Sequence, residues 1–523
     1  MTEDAPGAAQ DDVLEFLGSP EAYGPEAAEV GHVQTHISEV FFAGDLVYKV
    51  KRAVRYSFVD FTTLESRRGA CEAEVALNRR TAPDIYLGLA AIRRDPDGRL
   101  ALDRLDAPAA GEPVEWAVVM RRFDPDLTFD RLAERDALKP EWILQLVDAA
   151  VALHQSAEVH GAPFGGAAAL ARIIAENRTD MAACPEVFAA DRAGALGDAM
   201  EAVCARHGAL LDARREAGFV RRCHGDLHLG NVVLWQGRPT LFDCIEFSDT
   251  IAVIDVFYDF AFLVMDLEVR GLRDLANQAL NRFVGRTGDV AALAVMPLML
   301  GLRAAVRAKV NALALAGRPA DGEARSIAAA AERYLSAAEV FIAPAPAPPR
   351  LIAIGGLSGS GKTTVARALA PGLGRAPGAL HLRTDYIRKR IAGVLPEHRL
   401  PAAAYTPEAD REVYETMMEE AGEALRAGQS VIADAVFARP RSRQAIEDVA
   451  AREGMPFHGI WLEPPGAVMT ARIEGRTSDA SDATVEVLAR QLDYETGEIG
   501  WNRLKNDAGP EAAVHRVQEL LEQ

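Results

Sequence analysis

Cysteine is scarce in this chain. Cys71, Cys184, Cys204, Cys223 and Cys244 are the only five in 523 residues, and no two form a CxxC pair, so neither a zinc site nor a disulfide framework is expected. Long apolar runs are also missing. Val290 to Leu302 is broken by Pro297 and followed by Arg303 and Arg307, short of the roughly 20 residues that a membrane span needs. The opening MTEDAPGAAQDD lacks the positive start and apolar core of a secretory signal, which makes a cytoplasmic location the expectation. Positive charge is outweighed: 57 Lys and Arg face 76 Asp and Glu, for a net charge of -19. That balance excludes broad binding to nucleic acid, which depends on basic surface. What remains is a globular composition, 49% hydrophobic and 25% charged, with room for roughly two to four domains.

The clearest break is APAPAPP, residues 343–349, a short stiff stretch with no helix or strand pattern. It divides a region 1–340 from a region 350–523. The first opens with strand-like GHVQTHISEVFFAGDLVYKVKRAV, continues with helical LESRRGACEAEVALNRR and a strand from Val114 to Phe123, and is almost wholly helical from Pro140. Strands first and helices later imply an α+β, bilobal plan with a small sheet-rich lobe and a larger helical one. The second region alternates strand and helix: LIAI, TTVARALA, ALHLRT, helices around 407–427, SVIADAV, RSRQAIEDVAA and FHGIWLE. Alternation of that kind predicts an α/β parallel sheet wrapped by helices.

One interruption of the helical stretch carries chemistry. In CHGDLHLGNVVLWQGRPTLFDCIEF, Val232 to Trp235 suits a strand, Gln236-Gly237-Arg238-Pro239 is turn material, and Thr240 to Phe242 runs back. A hairpin brings Asn231 and Asp243 together as oxygen donors for one hard cation; magnesium favours such ligands and shares them with nucleotide phosphates. Asp226, on the loop entering the hairpin, is placed to take a proton from an acceptor hydroxyl. The set suits phosphoryl transfer to an alcohol.

HGDLHLGN resembles the catalytic loop of the aminoglycoside phosphotransferase and choline kinase group, relatives of protein kinases, and LFDCIEF resembles their metal-binding segment. The resemblance implies Asp226 as catalytic base, Asn231 and Asp243 as Mg²⁺ ligands, and Asp259, in IDVFYDFAF, as a brace of the catalytic loop. DLVYKV resembles the strand carrying the phosphate-binding lysine, with Lys49 and its same-face neighbour Lys51 as candidates. CEAEVALNRR resembles the partner helix, with Glu74 or Glu72 as the acid holding that lysine. Met120 to Arg122 fall where the family binds adenine through backbone groups. No GxGxxG loop precedes Lys49, so only the stretch around Ser38 is available to cover the phosphates.

A second signature, GLSGSGKT, fits G-x-x-x-x-G-K-[ST], with a strand before it and a helix after it. Gly356, Ser358, Gly359, Ser360 and Gly361 let the backbone wrap phosphates, and the helix opening at Lys362, Thr363 and Thr364 presents its N–H groups to negative charge. Lys362 would bridge the β- and γ-phosphates and Thr363 would ligate Mg²⁺. Residues 350–500 resemble the small-molecule kinases of the gluconate kinase and zeta-toxin group. That resemblance implies Asp385, in LRTDYIRKR, on the acceptor hydroxyl, Asp434 at the metal's water shell, and Arg472 and Arg476 as lid arginines; helix capping by Asp385 is the plainer alternative.

The expectation is one polypeptide with two ATP- and Mg²⁺-dependent phosphotransferase modules acting on hydroxyls of small molecules such as sugars, aminosugars or amino alcohols. The alternative is an N-terminal kinase regulated by a nucleotide-sensing P-loop module.

Overall fold

The computed structural model describes residues 8–24, 28–56, 59–104, 108–315, 318, 321–475, 481–507 and 509–521. By internal contacts the chain forms two compact units, one of residues 1–165 and 213–260, the other of residues 166–212 and 261–523.

In the first unit a six-stranded sheet includes β1 (Val30–Gln34), β2 (Ser38–Ala43), β3 (Leu46–Lys51), β4 (Tyr86–Arg94), β5 (Leu100–Leu102) and β6 (Glu112–Arg121) in the order β1-β2-β3-β6-β4-β5. All its pairings are antiparallel. Helix α1 (Leu64–Asn78) is started by Thr63, whose side chain accepts from the Ser66 amide at 3.1 Å. Its buried positions Arg67, Ala70, Cys71, Glu74, Val75 and Asn78 recur every three or four residues, so one stripe faces inward. That periodicity turns Glu74 into the core and leaves Glu72 outside, paired with Arg68 at 2.9 Å. Helix α2 (Pro140–Ser156) packs on the hairpin of β7 (Val232–Trp235) and β8 (Arg238–Leu241).

The hairpin differs from its sequence reading in one detail. Its turn is only Gln236-Gly237, with φ of 49° and 77°, and Pro239 lies in β8 opposite Leu234. Two successive positive φ values match the twist of antiparallel strands. Pro239 is tolerated because a two-stranded ribbon leaves an outer edge that needs no donor.

In the second unit five parallel strands, β9 (Leu351–Gly355), β10 (Leu380–Arg383), β11 (Val431–Asp434), β12 (Phe457–Leu462) and β13 (Asn502–Leu504), take the order β10-β11-β9-β12-β13. Every residue of the central β9 is buried, as expected of a strand covered on both faces. An earlier helix of this unit, α3 (Arg273–Thr287), lies along the edge strand β10. Asn277 donates to the Ala379 carbonyl at 3.0 Å, and the Asn281 side chain accepts from the His381 amide at 2.6 Å. Side chains thus satisfy edge groups that would otherwise pair with a foreign strand. Arg282 of α3 clasps Glu397 through both guanidinium ends, at 2.7 and 3.0 Å. No helix among the described residues is long and apolar enough to cross a membrane.

Candidate active sites

The first site is built from β3, α1 and the two ends of the hairpin. Lys49 reaches from β3 to Glu74 at 2.8 Å and to Asp243 at 2.6 Å. Lys51, fully buried on the same face, takes the other Glu74 oxygen at 2.6 Å and also pairs with Glu246. Glu74 therefore serves two lysines, and Lys49 is the one that also meets the carboxylate at the hairpin's end. Burial alone would raise the Glu74 carboxyl, but Lys49 and Lys51 together lower it to about 2. Glu246 has the opposite fate: its burial outweighs the pull of Lys51 and raises it. Two lysines grip Glu74 directly, whereas Lys51 alone grips Glu246, and the split between the acids follows from that.

The residues that the resemblance assigns to the catalytic loop lie together. The Asn231 amide nitrogen donates to the Asp226 carboxylate at 2.9 Å and to its carbonyl at 3.0 Å, so its side-chain oxygen is the atom that could serve a metal. Asp243 adopts φ of 61°, a left-handed conformation that is strained for a residue with a Cβ and is stored at functional positions. Its amide donates to the Tyr86 hydroxyl at 3.1 Å, and the following amide, of Cys244, donates to the Asn78 side chain at 2.8 Å. These bonds hold the strained corner. An amide oxygen and a half-exposed carboxylate are hard donors that fit Mg²⁺.

Asp259 is buried and accepts from the amides of His224 and Gly225 at 3.1 and 2.9 Å. His154, from α2, meets it at 2.9 Å. His228 accepts from the Gly230 amide at Nδ1 and lies 3.3 Å from the Asp226 carboxylate through Nε2, so it both shapes the loop and orients Asp226. Ser38 is buried at the start of β2 and its amide donates to Thr35 at 3.0 Å. Met120, half-buried in β6, pairs with Val47 and with Tyr86.

The second site surrounds the glycine-rich turn between β9 and α4 (Lys362–Leu369). A Cβ on Gly359, at φ of 80°, would stand 2.5 Å from the Met469 carbonyl oxygen, and one on Gly361, at φ of 93°, would stand 2.4 Å from Asn506 Nδ2. Only glycine fits there. The Ser358 amide donates to Gln491 at 2.8 Å, and the Ser360 carbonyl accepts from Asn506 at 2.8 Å. Lys362 curls back to the Leu357 carbonyl at 3.1 Å. The Thr363 hydroxyl donates to Asp434, at the end of β11, at 2.6 Å. His381 of β10 meets the same carboxylate at 3.2 Å. Burial opposes ionisation of Asp434, but the His381 hydrogen bond and the charges of His381, Lys362 and Arg383 hold it well below the carboxylate range. Burial lowers His381, against the opposing hydrogen bond and charge of Asp434. A hydroxyl backed by an ionised carboxylate is a donor set that fits Mg²⁺.

Asp385 lies within α5 (Thr384–Ile391), whose N-cap is Arg383. It lines a cavity of about 1540 Å³ together with Gly359, Gly361, Lys362, Thr363, Thr364 and Asp434. Capping is thus not its position. Gly356 and the buried Ser360 complete the turn. Arg472 donates to the carbonyls of Ser360 and Asn506, at 3.3 and 2.9 Å, and so clasps the loop backbone. Arg476 lies outside the described residues. Arg388 is buried and holds Asp410 at 2.6 Å.

Sequence reasoning missed His154, His381, Glu246 and Asn506. Each acts through a partner far away in the chain, and no local spacing marks it.

Comparison with known proteins matches the two segments to different families. Residues 99–294 match the model of the phosphotransferase enzyme family, and residues 351–496 match an AAA domain model. The chain is 32% identical over 479 residues to the uncharacterized protein Rv2004c of Mycobacterium tuberculosis, covering 89% of this chain and 90% of that one; the uncharacterized protein Mb2027c of Mycobacterium bovis matches equally. Among solved structures, a choline/ethanolamine kinase family protein from Mesorhizobium loti aligns with 16% identity and a TM-score of 0.37, covering 63% of this chain and 99% of that one. A sugar kinase from Janibacter aligns with 23% identity and a TM-score of 0.26, covering 34% and 95%. The chain belongs to the family of these mycobacterial proteins, and it is a phosphotransferase in which a kinase-like segment precedes a P-loop kinase-like domain.

Proposed function

We propose that the protein holds two separate ATP- and Mg²⁺-dependent phosphotransferase centres, each acting on a hydroxyl of a small molecule of the sugar, aminosugar or amino alcohol class. The observation that carries this reading is that two complete sets of acid, lysine and oxygen donors are assembled within separate compact units. The region 1–340 would house the first centre and the region 350–523 the second, with 343–349 as the connecting stretch.

In the first, Asp226 takes the acceptor's hydroxyl proton while Asn231 and His228 hold its carboxylate in place. Lys49, fixed by Glu74, binds phosphate oxygens. Asn231 and Asp243 would hold Mg²⁺, and backbone groups at Met120 would meet the adenine. In the second, the glycine-rich turn with Lys362 cradles the phosphates, Arg472 keeps that turn in shape, and Asp385 takes the proton. Thr363 and Asp434 would hold Mg²⁺. When bound, the metal neutralises charge developing on the phosphate oxygens. In both centres the acceptor oxygen bonds to the γ-phosphorus as its bond to the bridging oxygen breaks, and ADP leaves.

Asp226→Asn and Lys362→Ala variants, assayed separately for ATP consumption on sugars and amino alcohols, test the proposal. Each variant should lose one activity and keep the other. Loss of both from either single change would instead favour the regulatory reading, which draws on the packing of α3 against the P-loop domain's edge strand.

A further inference from the structure

The cavity of the P-loop centre is larger than a nucleotide alone requires. At about 1540 Å³ it exceeds the ~300–1,000 Å³ typical of a single ligand pocket. Its walls carry one lysine and nine arginines against six carboxylates, in a chain whose net charge is -19. Two of those carboxylates are already neutralised: Asp410 by Arg388 at 2.6 Å and Asp482 by Lys389 at 2.7 Å. A third, Asp434, is engaged by Thr363 and His381.

Four arginines stand apart from this pairing. Arg399 lies on the stretch after α5, Arg411 lies near the start of α6 (Pro407–Arg426), and Arg439 and Arg441 lie where β11 passes into α7 (Pro440–Glu453). All four are exposed and line the same cavity as Asp385. None forms an ion pair or a side-chain hydrogen bond with a described residue. Solvated arginines scattered over a surface need no ligand. These four come from three segments and line the one cavity that also carries the proposed base. Guanidinium forks suit a phosphate, whose three terminal oxygens accept from several forks at once, better than a single carboxylate, which one fork saturates. Against a strongly acidic chain, a local cationic wall is also what brings a dianion to the site.

We infer that the acceptor of the P-loop centre is a phosphomonoester that retains a free hydroxyl, held through its phosphate by Arg399, Arg411, Arg439 and Arg441 with that hydroxyl toward Asp385. This rests on the reading of the cavity as a phosphotransfer site. The hydroxyl oxygen bonds to the γ-phosphorus of ATP, the γ-phosphorus to bridging-oxygen bond breaks, the proton passes to Asp385, and ADP and a bisphosphorylated product leave. The reaction class that supplies such an acceptor is phosphoryl transfer from a nucleotide to an alcohol, the class proposed for the first centre.

The test uses the full chain carrying Asp226→Asn, which silences the first centre, with ADP release and ³¹P NMR as readouts. Acceptors are glucose, ribose and glycerol, then glucose 6-phosphate, ribose 5-phosphate and glycerol 3-phosphate, then gluconate. At least one phosphomonoester should exceed its neutral parent in kcat/KM by about 100-fold, as expected of charge-assisted hydrogen bonds. Adding Arg399→Ser with Arg411→Ser should raise the KM for that acceptor by about tenfold or more and leave the KM for ATP unchanged. Equal use of a neutral parent or of gluconate overturns the inference and leaves the phosphotransferase reading standing; so does an acceptor KM that ignores the arginines. No transfer to any acceptor, with ATP binding intact, overturns both.

Discussion

Glu74→Gln removes the one charge shared by two buried lysines while conserving shape. The lowering of the Glu74 carboxyl from 4.5 to about 2 corresponds to about 3 kcal/mol at ~1.4 kcal/mol per pH unit. Measured losses on breaking buried pairs, about 3–5 kcal/mol, bracket the same figure. For a unit of about 150–250 residues each kcal/mol moves the midpoint by about 2–4 °C, so the variant's first unit should melt about 6–12 °C lower at pH 7. The sign of the pH dependence is fixed. A lowered carboxyl stabilises the fold above its unfolded value, so the gap between wild type and variant is full above pH 4.5 and closes as pH falls toward 2. Lys49 would keep Asp243 as its partner, 2.6 Å away, and would swing toward the metal side. The KM for ATP should rise by about tenfold or more, the equivalent of one charge-assisted hydrogen bond. Differential scanning calorimetry of both proteins from pH 7 to 3, with initial rates against ATP, reads both effects. A midpoint shift under 2 °C at pH 7, or a gap that does not narrow in acid, would refute the reasoning.

Other perturbations probe single contacts. Gly230→Ala places a Cβ 2.9 Å from His228 Cε1; it should displace that ring from Asp226 and lower kcat of the first centre about 100-fold with little change in the KM for ATP. His381→Ala removes the imidazole from Asp434, and Mg²⁺-dependent ATP binding at the P-loop centre, read by calorimetry, should weaken about 10- to 100-fold, with His381→Gln restoring part of it. Asn281→Ala leaves the His381 amide without its 2.6 Å partner, a loss of about 1–3 kcal/mol; hydrogen exchange at that amide should accelerate while exchange in β9 stays slow.

How much of this could be read from the sequence depends on how far apart the interacting residues lie. Asp226, Asn231 and Asp243 sit within one loop and hairpin, so spacing alone brought them together. The glycine-rich turn is equally local, and its strand and helix flank it as the motif requires. Lys49 and Glu74 are 25 residues apart, and only family resemblance suggested the pair; the inward stripe of α1 then separates Glu74 from Glu72. His154 and Asp259 are 105 residues apart, and His381 and Asp434 are 53 apart. A lone histidine in an apolar helix or strand gives no sign of such partners. β13 escaped because Asn502–Leu504 is three residues long and mostly exposed, with no alternating pattern to reveal it. The grouping of α3 with the P-loop domain was equally hidden, since it depends on asparagine side chains bonded to backbone groups about 100 residues away.

The central claim is that one chain holds two nucleotide centres, and binding stoichiometry tests it most directly. Titration of ATP into the intact protein with Mg²⁺ should give two sites per chain, and Lys362→Ala should leave one, which Asp243→Asn then abolishes. A single site in the intact chain, or none after Lys362→Ala alone, would contradict the account.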